Sequence, residues 1–144
     1  MPGTVASLVT TIFIYIAYEY LGYTDLRFSI IFFVIIFFYS FYAVKDSESE
    51  FVNKDPRQIV IDEVLGQSMP LILLLHLNQT NQISMQIEIY YIISFFVFRF
   101  FDIFKPFPVS YFDKNFKNYF GIIMDDIMAG LYTMIVIFLI SLKF

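Results

Sequence analysis

Three short groups of ionisable residues interrupt an otherwise oily chain: Asp62-Glu63, then Arg99, Asp102 and Lys105, then Asp125-Asp126. Charges in sequence apolar enough for a bilayer cost several kcal/mol each unless they are paired, hydrated or bound to metal, so such groups are functional-site candidates by default. If all are ionised, five carboxylates against two cations leave about three negative charges in one place. Such a cluster repels a phosphate by itself. Oxygen-only ligands of this kind suit Mg²⁺ or Mn²⁺, which keep some water and bridge to substrate phosphate, and one or two ions would restore near-neutrality. The chemistry expected is metal-assisted phosphoryl transfer. Asp62, Glu63, Asp102, Asp125 and Asp126 are the metal-ligand candidates, and Arg99 and Lys105 would grip the phosphoryl oxygens. Only one histidine, His76, is present, so a carboxylate from Asp62, Glu63, Asp102 or Asp126 has to act as base or nucleophile.

Composition narrows the classes further. The 144 residues are 59% hydrophobic and 22% aromatic but only 15% charged, with a mean hydropathy of +0.72. A soluble chain of this length needs far more polar surface to cover its core. Absence of cysteine removes disulfides, zinc–thiolate sites and thiol nucleophiles. A net charge of −4 argues against a nucleic-acid partner. The first apolar run has neither a basic flank nor a small-residue cleavage site, so no cleavable signal peptide is expected.

These side chains must be carried by membrane-grade helices. Five continuous apolar stretches, at Val5–Leu21, Leu26–Val44, Ile59–Leu77, Ile87–Phe104 and Ile122–Leu142, each approach the ~20 residues that a helix needs to cross hydrocarbon. The runs are continuous rather than alternating, which favours helices over a barrel. The expected fold is all-α, a polytopic membrane helical bundle of about five transmembrane helices forming a single domain over residues 1–144. Between the spans lie a polar turn at Gly22–Asp25, a charged loop from Lys45 to Arg57, an Asn/Gln loop from Leu77 to Gln86 and a second charged loop from Lys105 to Gly121.

Basic residues orient this bundle. Lys45, Lys54, Arg57, Lys105, Lys114 and Lys117 fall on one side, against Arg27 and Lys143 on the other, which predicts the first side to be cytoplasmic. All three ionisable groups then gather at that leaflet. Arg99, Asp102 and Lys105 are spaced three apart, so neighbouring pairs share a helical face, and Pro106 and Pro108 end the helix. Lys105 is placed to snorkel to the headgroups. Asp62 and Gly66, like Asp126 and Gly130, are four apart, which gives each aspartate a side-chain-free notch one turn along its helix. Pro70 is expected to bend the third helix beyond the site.

Four segments in order, PGTVASL (Pro2 to Leu8), IVIDEVLG (Ile59 to Gly66), FFVFRFFDIFKPFPVSYFDKN (Phe95 to Asn115) and GIIMDDIMAG (Gly121 to Gly130), resemble the successive motifs of the phosphatidylglycerophosphatase A family. That resemblance implies an enzyme of the bacterial inner membrane. Such an enzyme removes the terminal phosphate of phosphatidylglycerophosphate with Mg²⁺ to leave phosphatidylglycerol. A soluble branch with similar motifs adds to that picture an all-helical fold of one central helix ringed by the others, and the resemblance marks Asp62, Glu63, Arg99, Asp102, Lys105, Asp125 and Asp126 as site residues. The partners implied are phospholipid substrate and bilayer lipids, with no obligate protein partner. Ala6, Ser110, Tyr119 and Phe120 depart from the family pattern, and a Gly-rich stretch ahead of Pro2 is expected in a longer amino terminus.

Blander accounts stand beside these. Arg99 and Asp102 would make a structural ion pair, and the acidic pairs would sit well at helix N-termini. His76, Glu19 and Glu88 fall toward the opposite leaflet as interfacial or solvated residues, and Asp55, Asp113 and Lys114 fall in cytoplasmic loops, where Asp113 matches a position of the family motif but suits a solvated role at least as well. A small transporter or proton-relay protein is the competing function class, since intramembrane acids also mark ion pathways. Acids clustered at one end favour the enzyme.

Overall fold

α3, Ile61–Gln79, is the helix around which the others assemble. The computed structural model describes residues 2–50, 60–83, 85–116 and 118–143, with backbone only for 46–50. Lys54, Asp55, Arg57, Ile59 and Lys117 lie outside the described residues. The remaining helices are α1 (Pro2–Glu19), α2 (Leu26–Glu50), α4 (Ile87–Phe104), α5 (Val109–Asn115) and α6 (Tyr119–Lys143), with no strand among the described residues. α1, α2, α4 and α6 all pack on α3, and α5 packs on α6.

The side chains of α3 explain its central place. Leu65, Leu71, Leu74 and Leu77 are fully or almost fully buried, and they point to more than one side of the helix. Toward its C-terminal end, Leu71, Leu74, Leu75 and Leu77 form a core with Tyr18 of α1, Tyr90 and Tyr91 of α4 and Ile137 of α6. Toward its N-terminal end, Leu65 packs with Val44 of α2 and Ile123 and Ile127 of α6. The outer faces of the surrounding helices are apolar and exposed: Val9, Ile12 and Phe13 on α1, Ile31, Ile35 and Phe38 on α2, Ile92, Phe96 and Ile103 on α4, and Ile135 and Leu139 on α6. Water does not tolerate so large a contiguous apolar surface.

Among the described residues, Leu26–Lys45 and Tyr119–Lys143 are long and apolar enough to cross a membrane. α1, α3 and α4 have 18, 19 and 18 residues, about 27–29 Å of helix, so they are long enough in principle. Polar residues set them apart: Glu19 on α1, Asp62 and Glu63 on α3, and Glu88, Arg99 and Asp102 on α4.

α3 and α6 cross at two glycines. A Cβ on Gly66 would lie 2.5 Å from the Asp126 carbonyl oxygen, and one on Gly130 would lie 2.5 Å from the Gly66 carbonyl oxygen. Any side chain at either position would hold the helices apart. Pro70, inside α3, has no N–H to offer the Gly66 carbonyl, which is the carbonyl that Gly130 packs against. The notches expected beside Asp62 and Asp126 are therefore filled by the partner helix.

The segment after α4 departs from the expected loop. Lys105 caps α4 in the left-handed region with φ 44°, and α5 forms within what the sequence suggested was an irregular charged connection. Pro106 disfavours helical geometry at Lys105, which turns the chain away from the α4 axis. α5 then buries Val109 and stacks Phe112 and Phe116.

Candidate active site

Asp62 and Glu63 open α3, and Asp126 lies in the second turn of α6, immediately before the glycine crossing. Gly66 and Gly130 each follow their aspartate by one turn, so close backbone contact at the crossing draws the two aspartates together. One carboxylate oxygen from each of Asp62, Glu63 and Asp126 lies within 4.8 Å of the others. Asp62 is 7% and Asp126 4% exposed, so neither is a solvated helix-terminal charge.

The C-terminal half of α4 supplies the cation. Arg99 Nη1 pairs with Asp102 Oδ2 at 2.6 Å, both largely buried, and also donates to Ser7 Oγ of α1 at 3.5 Å. Asp126 interacts electrostatically with Asp62, Asp102 and Asp125, and Glu63 with Asp102 and Arg99, so the α4 pair borders the three acids. Gly3 leaves room for Glu63, whose carboxylate occupies the space that a Cβ there would need.

Lys105 is placed differently from the sequence expectation. Its turn out of α4 separates it from the Arg99–Asp102 face, and its Nζ donates at 2.6 Å to both Asp113 Oδ1 of α5 and Asp125 Oδ2 of α6. Burial alone would lower the Lys105 ammonium, but the facing Asp125 and Asp113 carboxylates outweigh it and raise its pKa above the ordinary lysine range. Lys105 thus ties α4, α5 and α6 together. Asp125 is drawn toward it rather than into the group of Asp62, Glu63 and Asp126. Asp113, which the sequence leaves open between a position of the family motif and a solvated loop residue, is half of this clamp.

Two contributors were not legible as site residues. Ser7 receives Arg99, and its own hydroxyl donates to the Gly3 carbonyl at 3.0 Å. The signal was present as Gly3, Ser7, Thr10 and Thr11, a small and polar stripe at helical spacing on α1, all buried. Gln67, one turn beyond Glu63, is fully buried, donates to Ser94 Oγ at 3.4 Å and leaves its Oε1 without a partner. His76 is exposed near the other end of α3, as expected.

The residues fit a divalent cation and an anion together. Four acids, Asp62, Glu63, Asp102 and Asp126, against one guanidinium leave three negative charges when all are ionised. Glu63 Oε2 and Arg99 Nε are both buried without a hydrogen-bond partner. An unsatisfied carboxylate oxygen in an acidic group calls for a cation, and an unsatisfied guanidinium N–H calls for an anion. All donors in the group are hard oxygens, which suits Mg²⁺ or Mn²⁺.

This is an all-α protein with a buried acidic centre bordered by an arginine. The chain belongs to the phosphatidylglycerophosphatase A family, whose profile matches residues 1–141. A 48-residue stretch is 54% identical to "Phosphatidylglycerophosphatase A" of Haemophilus influenzae, covering 33% of this chain and 29% of that protein. A stretch of 84 residues is 37% identical to a Bacteroides thetaiotaomicron protein named "Putative phosphatidylinositol-3-phosphatase", covering 58% and 48%. The Escherichia coli K12 "Phosphatidylglycerophosphatase A" is 38% identical over 48 residues, 33% of this chain and 28% of its own. The matched segments therefore span less than half the length of these relatives. No solved structure matches the chain.

Proposed function

We propose that this protein hydrolyses the terminal phosphate of phosphatidylglycerophosphate, releasing phosphate and phosphatidylglycerol, in a Mg²⁺-dependent reaction at the cytoplasmic leaflet of a bacterial inner membrane. The observation that carries the proposal is the meeting of Asp62, Glu63 and Asp126 within 4.8 Å, beside an arginine with a buried, unused N–H. Family membership supports the substrate. Asp62, Glu63 and Asp126 would hold one or two ions, with Asp102 at the edge of the group. When bound, the metal would supply Lewis acidity at the phosphoryl group and a water of lowered pKa.

The protein's own residues define the rest. Arg99 presents its unpaired Nε–H to a phosphoryl oxygen while Asp102 and Ser7 hold the guanidinium in place. A carboxylate of the group serves as base or nucleophile. The P–O bond to the glycerol oxygen breaks, a new P–O bond forms, and the proton taken from water ends on the departing alcohol. Lys105, engaged with Asp113 and Asp125, holds the α4–α5 turn beside the site and provides positive charge at its rim. Water is limited by the burial of Asp62 and Asp126.

The same reading makes α1, α2, α3, α4 and α6 a five-span bundle. Exposed apolar side chains on α1, α2, α4 and α6 support it, and the polar residues of α1, α3 and α4 include those that build the site. Among the described basic residues, Lys45, Lys105 and Lys114 lie on the site side and Arg27 and Lys143 on the other, which supports a cytoplasmic active site. In detergent, the purified protein is expected to release phosphate from phosphatidylglycerophosphate with Mg²⁺ and to stop on chelation with EDTA. The name of the Bacteroides relative makes phosphatidylinositol 3-phosphate the comparison substrate. Faster release from that lipid would move the headgroup assignment while keeping the phosphomonoesterase; full turnover in EDTA would remove the metal-dependent mechanism.

A further inference from the structure

We infer that an outer groove along α6 seats one acyl chain of the lipid substrate; the inference rests on the phosphatase reading and deepens it by adding a specificity site outside the acidic centre. The groove has a volume of about 470 Å³, within the ~300–1,000 Å³ usual for small-molecule sites. Its lining includes Met128, Tyr132, Ile135 and Leu139 of α6, flanked on the same helix by Leu131, Met134 and Phe138, together with Leu73 of α3 and Pro108 ahead of α5.

Its register ties it to the site. Asp125, Met128, Tyr132, Ile135 and Leu139 follow spacings of three, four, three and four, one continuous stripe along the helix. The top of that stripe is the aspartate held by Lys105, and Pro108 follows Lys105 by three residues. A lipid lying in the groove therefore has its polar end beside the Lys105 ammonium and its chain running away from the charges. Eleven residues separate Met128 from Leu139, about 16 Å of helix, and one leaflet contributes about half of a ~30 Å hydrocarbon core. The slot is one acyl chain long.

Its wall is also prepared for hydrocarbon. Tyr132, its one hydroxyl-bearing side chain, donates to the Phe107 carbonyl at 2.7 Å and packs its ring, tilted by 32°, against Phe101 with centroids 5.1 Å apart, so its polar atom is used and its ring remains as wall. Ile135 and Leu139 stay more than half exposed along the open side. Met128, unbranched and deformable, lets chains of different shape pass near the headgroup end.

The test compares KM for dihexadecanoyl and dihexanoyl phosphatidylglycerophosphate in detergent. Ile135→Trp, which fills the middle of the groove, is expected to raise the long-chain to short-chain KM ratio about tenfold. Ile31→Trp, on the exposed face of α2, is expected to leave that ratio unchanged. An unaltered ratio in Ile135→Trp overturns the inference. Should Ile135→Trp lose activity on both lipids alike, photolabelling of the unmodified protein decides. In phosphatidylethanolamine vesicles, phosphatidylglycerol with a diazirine in its acyl chain is expected to label 128–139 saturably. Label spread over α2 and α6 according to exposure, or chain-to-chain cross-links through α6, overturns it. If the protein hydrolyses neither lipid the phosphatase reading fails, while the labelling still reports on the groove.

Discussion

The two halves of α3 do opposite work with neighbours from the same helices. At its C-terminal half, Leu71, Leu74, Leu75 and Leu77 meet Tyr18, Tyr90, Tyr91 and Ile137 in an apolar core. At its N-terminal end, Asp62 and Glu63 meet Asp126 beside the Arg99–Asp102 pair, an arrangement dominated by like charges. Close packing of large apolar side chains against neighbouring helices stabilises the first, while the second opposes folding until counter-charge arrives. One helix therefore anchors the bundle at one end and carries the group that the bundle must restrain at the other.

That contrast sets the predictions. Asp126→Asn is expected to reduce phosphate release about 100- to 10,000-fold, the range for losing an acid–base or ligand group. Its thermal midpoint without metal should hold or rise, because one of the clustered like charges is gone; a fall would mean that the acids support the fold. Leu74→Ala, in the apolar half, is expected to cost about 2–5 kcal/mol of stability. Its kcat below the unfolding transition should stay within about twofold of the parent, since the change lies several turns from the acids. Thermal scans in detergent beside initial rates read both outcomes, and a Leu74→Ala protein that remained stable but inactive would erase the division of labour. Gly66→Ala falls between the halves. Its Cβ would press on the Asp126 backbone, so a loss of about 1–3 kcal/mol and a drop in rate are expected together. Loss of stability alone would show that the crossing does not position the acids.

Much of this organisation was legible because apolar runs and motif spacing are local. α4 spans Ile87–Phe104 as the apolar run indicated, and α2 begins at Leu26. α6 begins at Tyr119, three residues before the apolar run suggested, because Tyr119 and Phe120 pack against Phe41 of α2. The Arg99–Asp102 pair and the gathering of Asp62, Glu63 and Asp126 followed from spacing and from which helix ends share a side. α5 was missed because Pro106, Pro108, Asp113 and Lys114 look like loop residues, although Val109, Phe112 and Phe116 fall at helical intervals. Lys105 was misplaced for a related reason. A helical wheel puts it on the Asp102 face, whereas the left-handed turn before Pro106 delivers it to Asp113 and Asp125, partners 8 and 20 residues away. Ser7 could not be connected to Arg99 at all, because 92 residues and a packing angle separate them.

The glycine contact between α3 and α6 acts as a fulcrum. The paired aspartates sit one helical turn from it, a lever arm of about 5.4 Å, so a scissoring tilt of about 5° would move them by only about 0.5 Å. The far ends of both helices, several turns away, would swing by a few times as much. Lipid-driven changes in tilt can thus be absorbed at the tyrosine-lined end while the spacing between the acids is kept nearly constant.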